Sequence, residues 1–255
     1  MTHGLEELAT DLPYPFRLVV RESAGSTNDE VRALAVAGEA GGLVLLALTQ
    51  TDGRGRRGST WISTAGDSLA FSILIRPQEP KALWPRLALA TGLAVAEALE
   101  PFGPSTGIKW PNDVWINGRK VAGILVEAGA DFVIIGIGLN VNTRSFPAEI
   151  AEIATSLGLE TGSSHSLSEV LGAIIRRFAL RHQQIGAEFS EMLDSVRQRC
   201  VLTGHHVSLT VSGGTRTGTV EGIAPGGELM LRTTTGLENL IQADEVRFSA
   251  GTDET

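Results

Sequence analysis

A chain of 255 residues, 42% hydrophobic and 20% charged, can hold one large domain or a catalytic domain with a small appendage, and its composition excludes extended disorder. No window approaches the roughly 18 consecutive apolar residues of a membrane helix, and MTHGLEELATDLPYPF lacks a secretory pattern, so a cytoplasmic protein with no membrane partner is expected. The net charge of −8 argues against nucleic acid as a partner, and the single cysteine, Cys200, allows neither an internal disulfide nor a cysteine-based zinc site.

Residues 1–20 read as a short helix and a first strand around Leu18, Val19 and Val20. Ser26-Thr27-Asn28-Asp29-Glu30 then precede Val31, Leu34 and Ala35 at helical spacing, which predicts a capped helix to about Ala37, ended by Gly38, Gly41 and Gly42. Strands are expected at 43–48 and 69–75, bracketing a Gly/Arg loop at 50–61. The 82–100 segment is helical in pattern. Three antiparallel strands follow at 108–116, 121–127 and 132–141, the first pair joined by the Asn117-Gly118 turn. Residues 165–200 are helical again. After Thr203-Gly204 the chain changes to short strands with Gly213-Gly214 and Gly226-Gly227 turns, so a domain boundary is expected near 204, with a catalytic domain at 1–204 and a small β module at 205–255. Meander pairing with interspersed helices predicts an α+β fold, not a doubly wound parallel sheet.

The most informative stretch is TQTDGRGRRGSTW at 49–61, where three arginines face one aspartate inside an acidic chain. Gly53, Gly55 and Gly58 permit close backbone approach, and arginine forks suit phosphate or carboxylate, so an anionic ligand is expected. The Gly53/Gly58 spacing imitates a P-loop, but Ser59 stands where its lysine would be and a strand follows instead of a helix. Alternation along 119–127 places Lys120 on one face with Ala122, Ile124 and Val126. There it either snorkels at the strand end or meets a buried anion. Alone, Pro111-Asn112-Asp113 is an ordinary turn and Ser26-Thr27-Asn28 an ordinary helix cap.

In this order, GSTN at 25–28, TQTDGRGRRG at 49–58, KWPND at 109–113, GRKVAGILVE at 118–127 and GIGLNVN at 136–142 resemble the biotin protein ligases, and 146–157 resembles that family's adenylate-covering loop. The resemblance runs from residue 17 to about 250. It implies a mixed sheet with helices like that of class II aminoacyl-tRNA synthetases, followed by an SH3-like β-barrel. It also implies formation of biotinyl-5'-AMP from biotin and ATP, then transfer of biotin to a lysine of a biotin carboxyl carrier protein domain.

By the same resemblance, biotin would contact Ser26, Thr27, Asn28, Gln50, Arg54, Arg56, Lys120 and Gly123, its apolar part lying along Gly123, Ile124 and Leu125. ATP or the adenylate would contact Arg56, Arg57, Trp61, Asn112 and Asn140, and Asp113 would help hold Mg²⁺. Lys120, Arg54 and Arg56 are expected to offset repulsion between the carboxylate and the phosphates. Two departures stand out. Ser59 occupies the last arginine position of the family's loop. Some relatives carry an N-terminal winged-helix domain, and the 16 residues before Arg17 are too few for one, so no repressor role is expected. A monomer or weak homodimer is expected. The rival reading is a lipoate or octanoate ligase of similar fold.

Overall fold

In the computed structural model residues 2–63, 65–211 and 214–249 are described; the side chains of Thr2, His3 and Arg57 lie outside the described ones. Seven strands form one mixed sheet: β1 (Arg17–Ala24), β2 (Leu43–Gln50), β3 (Ser68–Ile75), β4 (Thr106–Lys109), β5 (Asp113–Ile116), β6 (Arg119–Ala128) and β7 (Val133–Asn140). Their order is β1-β2-β3-β7-β6-β5-β4. Only β1 and β2 pair in parallel, because helix α2 (Thr27–Val36) carries the chain back between them. All other neighbours are antiparallel, and from β4 to β7 this is the meander that the turn pattern predicts.

The sheet is covered on both faces, which explains why every residue of β3 is buried. On one face α2 packs Val31 and Ala35 against Leu43, Leu45, Leu74, Phe132 and Ile134. On the other lie α3 (Arg86–Leu99), with nearly all of its residues buried, and α5 (Leu167–Arg181). Further helices are α1 (Thr2–Thr10), α4 (Leu157–Thr161) and α6 (Phe189–Arg199). No helix among the described residues is long and apolar enough to cross a membrane.

Three expectations change in detail. The strand predicted over 108–116 is two strands, β4 and β5, with Lys109 paired to Asp113 across a tight turn, since Pro111 has no N–H to give a ladder. Helix α3 starts at Arg86 instead of near Ala82, because 81–83 forms a 3₁₀ turn and Pro85 precedes the helix. The helical stretch at 165–200 breaks near Gly186 into α5 and α6.

A second sheet holds β8 (His206–Val211), β9 (Gly214–Ile223), β10 (Leu229–Thr233), β11 (Gly236–Leu240) and β12 (Glu245–Phe248), in the antiparallel order β11-β10-β9-β8-β12. It shares one apolar core with the first, since Val207, Val220, Leu229 and Leu231 are continuous with Ile108 and Trp110. Trp110, 2% exposed, is the peg, and its indole N–H donates to the Gly227 carbonyl at 3.1 Å. Gly227 has φ +101°, a conformation that strains any side chain, and a Cβ there would press on Leu89 Cδ1 at 3.0 Å. This docking brings β12 beside β4 and β5, where it helps to form a cleft.

Candidate functional site

One face of the sheet is stripped of side chains along its centre. Gly123 of β6 pairs with Gly138 of β7, and Gly136 pairs with Ser72 of β3. A Cβ on Gly138 would lie 2.2 Å from Trp61 Cε2, and one on Gly136 would lie 2.3 Å from Asn28 Oδ1. These glycines admit the Trp61 ring and the Asn28 amide onto the backbone. Above them opens a cleft of about 1210 Å³. Its wall includes Ser26, Thr27, Asn28, Gln50, Arg54, Arg56, Trp61, Asn112, Asp113, Lys120, Gly123 and Asn140, so the fold gathers every described candidate residue. The Arg57 side chain lies outside the described residues.

At one end, the parallel pairing of Ala24 with Gln50 sets the start of α2 beside the end of β2. Ser26 occupies the helix N-cap position, yet its hydroxyl makes no capping bond, contrary to the expected cap. Gln50 satisfies a different free donor at this helix end, the first N–H: its Oε1 accepts from the Thr27 N–H at 2.9 Å and from the Thr27 hydroxyl at 3.1 Å. Ser26 lines the cleft with its hydroxyl uncommitted to the helix end. Asn28 turns inward, donating to Glu127 Oε2 at 2.7 Å and accepting from Ser72 Oγ at 2.6 Å.

The arginine loop is a small closed structure. Arg54 and Thr60 form a bridge, Gly55 N–H donates to the Ser59 carbonyl at 2.6 Å, and Ser59 Oγ donates to the Arg56 carbonyl at 2.7 Å. Ser59, the departure from the family pattern, therefore braces the turn. The two arginines that look equivalent in sequence part company. Arg54 reaches Asp29 at 2.5 Å and Glu127 at 3.7 Å, while Arg56 donates to Asn112 Oδ1 at 3.2 Å. Asn112 is steadied by its own bond to the Ile124 carbonyl at 2.9 Å.

At Lys120 strict alternation does not hold. Trp115 pairs with Lys120 but Val114 pairs with Ala122, so one extra residue is inserted at Val121. A bulge shifts the side-chain period. Lys120 consequently joins the face of Asp113, Trp115 and Gly123, not that of Ala122, Ile124 and Val126. Its ammonium lies 2.7 Å from Asp113 Oδ1 and 5.9 Å from the Trp61 ring, and a Cβ on Gly123 would sit 3.0 Å from its Nζ. The backbone of Lys120 is also pinned: its N–H donates to the Ile153 carbonyl at 2.8 Å and its carbonyl accepts from Thr155 N–H at 2.9 Å. Asn140 holds the same segment through the Thr155 carbonyl at 3.1 Å.

Glu160 locks that segment to the β5–β6 turn. Only 5% exposed, it accepts from Asn117 at 2.6 Å, Arg119 at 2.7 Å and Thr155 at 2.5 Å. Burial pushes its pKa up, but the bonds from Thr155, Asn117 and Arg119 outweigh burial and hold it below the ordinary 4.5. A lowered carboxylate pKa stabilises the fold above the unfolded value and loses that contribution as pH falls through the folded one. Glu160→Gln is therefore expected to cost about 1–3 kcal/mol at pH 7. Its deficit relative to the parent shrinks below about pH 4.5, as urea unfolding at pH 7 and pH 4 would show.

Lys109, Ser72, Glu127, Arg247 and Phe248 are absent from the candidates that the sequence singles out. Lys109 opens the KWPND motif and Glu127 closes GRKVAGILVE, which is a signal for each; the other three carry none. Lys109 lies over the Trp115 ring at 4.5 Å and the Phe248 ring at 5.7 Å, and Arg247, paired with Glu245 at 2.8 Å, lines the same end of the cleft. Burial lowers the pKa of Lys109; Asp113 opposes this and Lys120 adds to it. A lysine with a lowered pKa destabilises the fold at neutral pH, and the cost fades as pH rises toward 10.5. Lys109→Met is expected to raise stability by about 1 kcal/mol at pH 7, measurable by thermal unfolding, while weakening anion binding in the cleft. Among the described residues no group of three His, Cys, Asp or Glu could hold a metal. Asp113 offers a single carboxylate, which suits an ion that arrives with phosphate oxygens.

Residues 22–142 match the family model described as biotin/lipoate A/B protein ligase family. A biotin-acetyl-CoA-carboxylase ligase of Mycobacterium tuberculosis is 36% identical over 205 residues, covering 78% of this chain and 76% of the relative. A bifunctional ligase/repressor BirA of Bacillus subtilis is 34% identical over 236 residues, covering 89% and 73%. Among solved structures, the biotin protein ligase from Aquifex aeolicus in complex with biotin and ATP superposes with a TM-score of 0.83 at 34% identity, covering 91% of this chain and 99% of that one.

Proposed function

The chain belongs to the biotin/lipoate A/B protein ligase family, and from that premise we propose that it is an ATP-dependent biotin protein ligase. It joins biotin and ATP into biotinyl-5'-AMP and pyrophosphate, then moves biotin to a lysine of a biotin carboxyl carrier protein domain with release of AMP. The observation that carries this reading is the position of Lys120. It stands over the glycine floor between a polar end suited to a urea, Ser26, Thr27 and Gln50, and a cationic end formed by Arg56, Lys109 and Arg247.

Biotin lies with its urea at the α2 end and its acyl chain over Gly123. Trp61, flat against Gly138 and near Gly123, forms a wall for that chain, an assignment that moves it from the nucleotide to the acid. The carboxylate is ionised at neutral pH and needs no base. It attacks the α-phosphorus, forming the acyl–phosphate bond while the bond to pyrophosphate breaks. The barrier is anion repulsion, which Lys120 offsets at the carboxylate and Arg56, Lys109 and Arg247 offset along the phosphates. Arg54, engaged by Asp29 and Glu127, anchors the loop. Asp113 would help to hold Mg²⁺, which would supply further charge neutralisation. In the second step the carrier amine, having shed a proton, attacks the acyl carbon and AMP leaves.

Incubation of the purified chain with labelled biotin, Mg-ATP and a carrier domain is expected to label the domain. Lipoyl-adenylate formation without biotinyl-adenylate would overturn the reading.

A further inference from the structure

Thr27 and Asn28 begin a row of hydrogen bonds that runs from the cleft into the protein. Ser72, fully buried on β3 and not part of the cleft wall, has its hydroxyl 2.7 Å from that of Thr27 and 2.6 Å from Asn28 Oδ1. Asn28 Nδ2 donates to Glu127 Oε2 at 2.7 Å, and Arg32 and Arg54 lie 3.4 and 3.7 Å from that same oxygen.

The last member of the row sets the direction of every bond in it. A carboxylate only accepts, so the Asn28 amide must turn its NH₂ to Glu127 and its oxygen to Ser72. That oxygen has no donor to return, and the single Ser72 hydrogen goes to it. The Thr27 hydroxyl is left with two inward acceptors, Ser72 Oγ at 2.7 Å and Gln50 Oε1 at 3.1 Å. By either route its hydrogen points into the protein. What it presents to the cleft is a lone pair.

We propose that Ser72 and Glu127 are positioning residues that hold the Thr27 hydroxyl as a pure acceptor, so that the cleft selects a ligand offering an N–H at that point. The inference rests on the biotin reading above, and it gives that reading a source of specificity. A cyclic urea carries an N–H on each side of its carbonyl. A cyclic carbamate has an oxygen on one side, and a dithiolane has no N–H at all. An acceptor facing an oxygen forfeits its bond and adds repulsion, which is expected to weaken binding about tenfold or more.

The test is calorimetric titration of the full chain with biotin and with the two carbamate analogues in which one or the other ureido N–H is replaced by oxygen. The parent is expected to prefer biotin over at least one isomer by about tenfold or more. Ser72→Ala removes the nearer inward acceptor and leaves the Thr27 hydroxyl only the longer 3.1 Å bond to a Gln50 oxygen that already takes the Thr27 N–H, so the hydroxyl is free to turn its hydrogen outward. Glu127→Gln replaces an acceptor-only group with an amide that also donates. Each is expected to narrow the preference to about threefold or less. Glu127→Gln is isosteric at a partly exposed site, so it keeps the test independent of core packing. A packing defect would weaken all three ligands alike, and an unchanged ratio in both variants overturns the inference. A parent that binds biotin but discriminates against neither isomer also overturns it, leaving the functional reading intact. A parent that does not bind biotin overturns both.

Discussion

Lys120→Ala is expected to lower the rate of biotinyl-adenylate formation by about 10²–10³-fold, the scale for removing one preorganised charge from a developing anion. Two effects add. The variant loses the ammonium that stands over the Gly123 floor, and it strips Asp113 of the partner 2.7 Å away, leaving a less fully compensated negative charge facing an anionic substrate. Lys120→Arg should not restore activity. The lysine tip already lies 3.0 Å from where a Gly123 Cβ would be, and a planar guanidinium on a longer stem does not fit that gap. Single-turnover pyrophosphate release measures the step directly. Normal turnover in Lys120→Ala would reduce this residue to a lysine at a strand end.

Gly138→Val should cost about 100-fold or more in biotin affinity, because its first carbon would lie 2.2 Å from Trp61 Cε2 and the ring must vacate the floor. The loss is that of a buried aromatic wall, about 3 kcal/mol. A second substitution separates strain from function. Trp61→Ala in the Gly138→Val background should recover thermal stability by relieving the clash, yet not recover binding. Undiminished affinity in Gly138→Val would show that Trp61 does not wall the acyl chain. Gly136 has the same meaning for Asn28, and together the two explain why GIGLN, in the middle of a fully packed sheet, carries no side chain at alternate positions.

Much of the site is legible as residue types. The local excess of arginine in an acidic chain marks an anion site, and Gly53, Gly55 and Gly58 mark a backbone built for close approach. The meander and the change of character after Gly204 are written in periodicity and turn residues. The roles within the site are not. Arg54 and Arg56 have indistinguishable neighbourhoods in sequence, and only the positions of Asp29, Glu127 and Asn112 divide them. Ser26 satisfies every local rule for a helix cap, yet its hydroxyl makes no capping bond, and the parallel pairing of β1 and β2 brings Gln50 to the first N–H of the helix.

The sequence by itself determined which chemistry could occur: composition excluded membrane helices, and five ordered motifs specified a family and a cleft for anions. Tertiary structure alone decided which face each group occupies and what it touches. Periodicity is a local property, and one inserted residue at Val121 moves Lys120 to the face opposite the one that alternation assigns it. Likewise the contribution of Arg247 and Phe248 depends on docking a sheet more than a hundred residues away through Trp110 and Gly227. Contacts of that range follow from the burial of a shared core and from satisfying its few polar groups, neither of which a local pattern encodes.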